Sequence, residues 1–210
     1  MKKVIIFLTL SLSIALFSCK KEDAAPAQNS GNNNNTLTGM NTVTGEILSF
    51  NNITFGGINN QSIIGSYFSI KNNKVYKSTE LNSTIGPDID LVYIGLSGGL
   101  SFFEGGEASN SSLTSWGYAA VPGGVKTKII NYTNTTSSGV NFTVANFDNM
   151  TNDTPVKNLT IVVDNESFSI SDAPLIVAFM TASNKKGVVK VKSGVSGKSG
   201  HIVCDIKVQK

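Results

Sequence analysis

From Gly45 onward, apolar residues recur at every second position, and this period of two constrains the fold more than any other feature of the chain. An amphipathic helix would need apolar residues at steps of three and four. Val140, Phe142 and Val144 alternate with Asn141, Thr143 and Ala145, and Leu159, Ile161 and Val163 do the same with their neighbours. Near the end, Ile202, Cys204, Ile206 and Val208 share one strand face, leaving His201, Val203, Asp205 and Lys207 on the other. Cys204 is then a small hydrophobe among core residues. Leu91, Val92, Tyr93, Ile94 and Leu96 leave neither face polar, which predicts a central strand covered on both sides.

Turn residues separate these runs at Asn72-Asn73, Gly86-Pro87, Gly98-Gly99, Gly105-Gly106, Pro122-Gly123-Gly124, 184–187 and 196–200. The last three runs, 174–182, 187–193 and 200–208, predict an antiparallel meander. Helical pattern is confined to one or two turns at Lys77 to Ser83 and Asn146 to Asp153. The expectation is a mainly β, antiparallel sandwich-like single domain of about ten strands over residues 45–210, with little helix.

Charge excludes one class of partner. Every basic residue is Lys, and the seventeen become fifteen, against fourteen acids, once Lys2 and Lys3 leave with a leader. A nucleic-acid binder needs a basic surplus and favours Arg forks, and this chain has neither. Asn makes up about one residue in nine, so Asn-x-Ser/Thr triplets such as Asn131-Tyr132-Thr133 arise by chance.

Catalytic sets are sparse. His201 is the sole histidine, and outside the leader junction Cys204 is the sole cysteine. A Ser-His-Asp or Cys-His site and most zinc sites need more than that; Cys204 also has no disulfide partner. No metal and no cofactor is expected. Paired carboxylates could serve glycoside hydrolysis, and Asp88 with Asp90, or Glu104 with Glu107, are the candidates. The oxygen-rich stretch 148–153 lacks EF-hand spacing and reads more simply as turn or cap chemistry. The best binding feature is aromatic: Trp116 and Tyr118 lie two apart between the Gly105-Gly106 and Gly123-Gly124 loops. On a strand they would share a face and form a possible ligand platform for sugar rings, against the plainer reading of two core rings.

The N-terminus carries an address. Lys2 and Lys3 precede an apolar run from Val4 to Phe17 of about 14 residues, too short for the roughly 20 needed to span a bilayer, and so a secretory signal. Leu16-Phe17-Ser18-Cys19 resembles the lipobox of bacterial lipoproteins, with Phe17 where that family has a small or branched residue. The resemblance implies cleavage after residue 18 and lipidation of Cys19 with diacylglycerol and further acyl chains. Each buried CH₂ adds about 0.8 kcal/mol, so two or three chains hold stably. Lys20-Lys21-Glu22-Asp23 follows, and Lys21, Glu22 and Asp23 resemble the export signal of Bacteroidetes surface lipoproteins, which sends the protein to the exterior of the outer membrane. Residues 19–44 then read as the lipidated Cys and a disordered tether, including four consecutive Asn at 32–35; about 25 such residues span roughly 25–30 Å r.m.s..

Patches of the folded region also resemble uncharacterised lipoproteins of Bacteroidetes and flavobacteria. They are Gly65-Ser66-Tyr67-Phe68-Ser69 leading to Lys74-Val75-Tyr76, the run Ile89 to Tyr93, and the ending from Val177-Ala178-Phe179 through Lys186-Gly187-Val188 to Lys210. That resemblance implies class and location and brings no catalytic residue. The expected function is therefore a membrane-anchored, non-catalytic surface lipoprotein whose domain binds a glycan or a surface protein. A tethered polysaccharide hydrolase and a structural subunit of a surface complex are the alternatives.

Overall fold

Two antiparallel sheets, packed face to face, account for most of the buried residues. A computed structural model describes residues 42–44, 46–133, 139–163 and 166–210. The leader, Cys19, the Lys21-Glu22-Asp23 cluster and the tether up to residue 41 lie outside the described residues. Among the described residues there are ten strands, as expected: β1 (Thr42–Thr44), β2 (Ile47–Gly56), β3 (Tyr67–Ser69), β4 (Lys74–Tyr76), β5 (Leu91–Leu96), β6 (Gly99–Phe103), β7 (Lys128–Ile130), β8 (Leu175–Met180), β9 (Lys186–Val195) and β10 (His201–Gln209). The larger sheet runs β1-β2-β10-β9-β8-β7 and the smaller β4-β3-β5-β6. The sheet begins at Thr42, inside the stretch read as tether, because Thr42–Thr44 pairs with Ile47–Ser49.

The two sheets bury an aromatic layer between them. Phe50 and Phe55 of β2 meet Phe68, Tyr93 and Phe102 of the smaller sheet; Phe50–Phe68 and Phe55–Phe102 centroids are 5.5 and 5.2 Å apart, edge to face. Cys204, Ile202, Ile206 and Val208 join this layer from β10, fully buried as the alternation predicted. The β8–β9–β10 meander also forms as predicted.

Each sheet buries its outer face as well. β5 is central in the smaller sheet, with Leu91 and Tyr93 in the inter-sheet layer and Val92 and Ile94 in a second core under Leu113, Tyr118 and Val121. On the larger sheet, Ile176, Ala178 and Val188 face Val140, Phe142, Phe147, Val156 and Ile161. These covering residues are not in strands. The alternation at 140–144 and 159–163 predicted strands, but Val140, Phe142 and Ile161 lie in segments without regular structure, and Val144–Asp148 is a short helix. Val140, Phe142 and Ile161 of the alternating sets are buried, Val144 and Leu159 partly so, and Val163 is exposed, so alternation there reports burial only in part and secures no ladder partner.

Short helices finish the cover: α1 (Asn110–Ser115), α2 (Val144–Asp148) and α3 (Thr154–Lys157). Thr143 caps α2, its hydroxyl accepting from the Asn146 N–H. Lys207 of β10 fastens the far end of α2, donating to the Phe147 and Met150 carbonyls at 2.8 Å each. No helix among the described residues is long and apolar enough to cross a membrane.

Candidate functional site

Helix chemistry decides where Trp116 and Tyr118 go. α1 ends in a left-handed Gly117 at φ +85°, with Gly117 N–H donating to Thr114 O and Tyr118 N–H to Leu113 O. This is a Schellman turn, in which the residue after the glycine folds back to contact the helix's last apolar residue. Tyr118 accordingly packs with Leu113 in the outer core, 2% exposed, and its hydroxyl accepts from Gly95 N–H at 2.8 Å. Burial pushes its phenol up to about 12. Trp116 stays outside, 39% exposed, its ring edge-on to Phe103 at 5.2 Å. The two rings do not share a face, so the surface offers one aromatic ring, not a pair.

Trp116 is nevertheless firmly held. Gln61 donates to Gly117 O at 2.9 Å, and its side-chain oxygen accepts from Ala119 N–H at 3.0 Å and from the Tyr67 hydroxyl at 2.9 Å. One side chain thus bonds the loop immediately after Trp116 to the smaller sheet. Ile58 lies beneath Gly117, and Phe103 continues the apolar floor. A ring fixed before a ligand arrives loses little entropy on binding.

The carboxylate candidates hold loops together. Asp88 pairs with Lys71 at 3.0 Å and accepts from Asn72 at 3.3 Å. Asp90 accepts from Ile70 N–H at 2.9 Å, and burial raises it to about 6, with the nearby Asp88 charge adding to the rise. Both therefore clasp the turn between β3 and β4. Glu104 accepts from the Ser109 hydroxyl, while its other oxygen is buried with no partner among the described residues. Glu107 accepts from Gly123 N–H at 3.0 Å, bracing the opposite loop.

The oxygen-rich stretch splits in two. Asp148 pairs with Lys190, whereas Asp153 accepts from Gln209 at 2.8 Å. Asn152 accepts from Thr154 N–H at 3.0 Å, a turn bond. No group of three or more His, Cys, Asp or Glu among the described residues could hold a metal ion. His201 is half-buried at the start of β10, and Cys204 is fully buried, its thiol pushed well up by burial.

One feature was not foreseen. A cleft of about 550 Å³ opens where β2 begins, β10 ends and the β8–β9 turn meets α3. Glu46 and Asp153 lie on its wall with Asn184 and Gln209, and Lys157, Lys185 and Lys210 line it as well. The hydrogen bond it donates to Asp153, and the Asp153 charge, hold the Glu46 carboxyl above its ordinary value. Asp153 is held below its own, by hydrogen bonds from Gln209 and Glu46. These residues are scattered over 165 positions, and only the pairing of Ile47 with Gln209, the first long strand against the last, brings them together.

Compared with protein families, curated proteins and solved structures, the chain gives no match in any of the three.

Proposed function

We propose that the chain is a lipid-anchored surface protein of the outer membrane, held by acyl chains on Cys19, whose sandwich domain binds a glycan without catalysing its turnover. The anchor is supported by Leu16-Phe17-Ser18-Cys19 after a short apolar leader, and the surface address by Lys21-Glu22-Asp23. The observation that carries the binding role is Trp116: a large, exposed ring resting edge-on against Phe103, on a backbone held by the Gly117 turn and by Gln61. Indole faces stack on the apolar face of sugar rings, and a fixed ring does so at low entropic cost. A glycan array separates the outcomes: Trp116→Ala should lose at least tenfold in affinity for the neutral glycans that the wild-type protein retains. Unchanged binding by that variant removes the ring from the account.

Asp90 gives the hydrolase reading its one specific support, since a carboxyl that titrates near 6 can act as a general acid. Its hydrogen bond to Ile70 and the Asp88–Lys71 ion pair weigh on the other side, because both acids are already engaged with the same turn. Polysaccharide turnover that disappears in Asp90→Asn would decide for the enzyme.

A further inference from the structure

The cleft at the open end of the larger sheet has a composition that selects its occupant. Its three lysines come from separate elements: Lys157 from α3, Lys185 from the β8–β9 turn, and Lys210 following β10. All three are exposed, and none forms a salt bridge among the described residues, in contrast to Lys71, Lys74, Lys190 and Lys192. Its ionisable side chains are these three lysines and two acids, Glu46 and Asp153, so both signs of charge face the same cleft. Asp153 is itself 7% exposed and fixed by Gln209, whose own side-chain oxygen accepts from Lys186 N–H at 2.8 Å. Lys186 in turn donates to the Lys157 carbonyl at 2.6 Å, tying α3 to the sheet beside the cleft.

We propose that this cleft binds a polyhydroxylated anion, a uronate-bearing saccharide, through its lysines and its acid pair together. The ammonium groups meet the ligand's carboxylates. The protein's own acids and Asn184 accept from and orient its hydroxyls. A bare anion such as phosphate has no hydroxyl framework for those acids to hold and is repelled by them, whereas a neutral sugar leaves the lysines unused. A volume of about 550 Å³ is in the range of small-molecule sites. The site lies on different elements from Trp116 and does not depend on the role given to that ring.

Calorimetric titration of the detergent-solubilised full-length protein tests it, with trigalacturonate, neutral galactotriose and inorganic phosphate as probes. Trigalacturonate should bind saturably, weaken several-fold between low and physiological salt, and weaken by about tenfold or more in Lys157→Ala/Lys185→Ala, two exposed positions whose loss leaves the core intact. Trp116→Ala should bind it as the wild-type protein does. The proposal is overturned by absent binding, by equal affinity for galactotriose, by full displacement with equimolar phosphate, or by a double variant that binds normally. Loss of binding in Trp116→Ala would equally overturn it, by placing the saccharide on the ring.

Discussion

Single residues show how local chemistry overrules spacing. Two positions apart on a strand, Trp116 and Tyr118 would point the same way. Gly117 at φ +85° reverses the chain between them, so one ring enters the core and the other meets solvent. Ser-Trp-Gly-Tyr holds a glycine able to end a helix, but Asn110–Ser115 is built mostly of weak helix formers and six residues have no period long enough to announce one. Asp90 yields a pH prediction. Its folded carboxyl titrates near 6 and its unfolded one near 4, so the stability it contributes is fully present below pH 4 and is lost as pH rises through 6, on the order of 2–3 kcal/mol. Asp90→Asn keeps an oxygen for Ile70 and removes the charge. Urea midpoints should therefore fall from pH 4 to 7 in the wild-type protein by more than in the variant; parallel profiles would refute the shift. Tyr93 offers a second test. Its hydroxyl is buried with no partner among the described residues, so Tyr93→Phe should leave stability unchanged or raise it by up to about 1 kcal/mol, where removing a bonded hydroxyl costs that much.

Secondary elements show what the alternation could and could not say. It located β10 because its apolar set lies on one regular face; β5 and β8 stood out as short runs apolar on both faces, and β9 by the turn residues that bound it. Alternation breaks inside β2, where Phe50 and Ile53 both enter the inter-sheet layer though an odd number of residues apart. The register slips there: Phe50 faces Ile206 but Ile53 faces Cys204. Asn52 sits at φ +58° in the bulge, its N–H donating to Asp205 at 2.8 Å, and Lys192 ties the two by bonding both. Failure at 140–144 and 159–163 has another cause, since those segments cover a sheet without joining one. The exposed edge of β6 is closed by side chains and loop: Asn131 receives Phe102 N–H and donates to Phe102 O at 3.0 Å, and Phe168 bridges Leu100 through bonds of 2.8 and 3.1 Å. Asn131→Ala leaves buried backbone groups without partners and should cost about 2–4 kcal/mol in chemical denaturation. Gly187→Ala should also destabilise, by roughly 1–3 kcal/mol, because a methyl there would lie 2.3 Å from the Phe179 ring.

At the scale of the whole molecule, three stacked cores make a domain whose surface features are few and separate: the Trp116 ring on the smaller sheet's cover and the charged cleft at one end of the larger sheet. The cleft was illegible in the sequence because its walls come from both ends of the domain and from the β8–β9 turn. The anchor proposed at Cys19 rests, by contrast, on a contiguous stretch, Leu16-Phe17-Ser18-Cys19, which can be read without any folding. Cys19→Ala should shift the protein from membrane to soluble fractions, and protease added to intact cells should remove the domain from the wild-type strain. The most direct measurement is mass spectrometry of the N-terminal peptide from protein purified out of its native membrane. The account predicts a peptide beginning at Cys19 and heavier by a diacylglyceryl group, with or without an amide-linked acyl chain. An unmodified cysteine, or a mature start elsewhere, would contradict it.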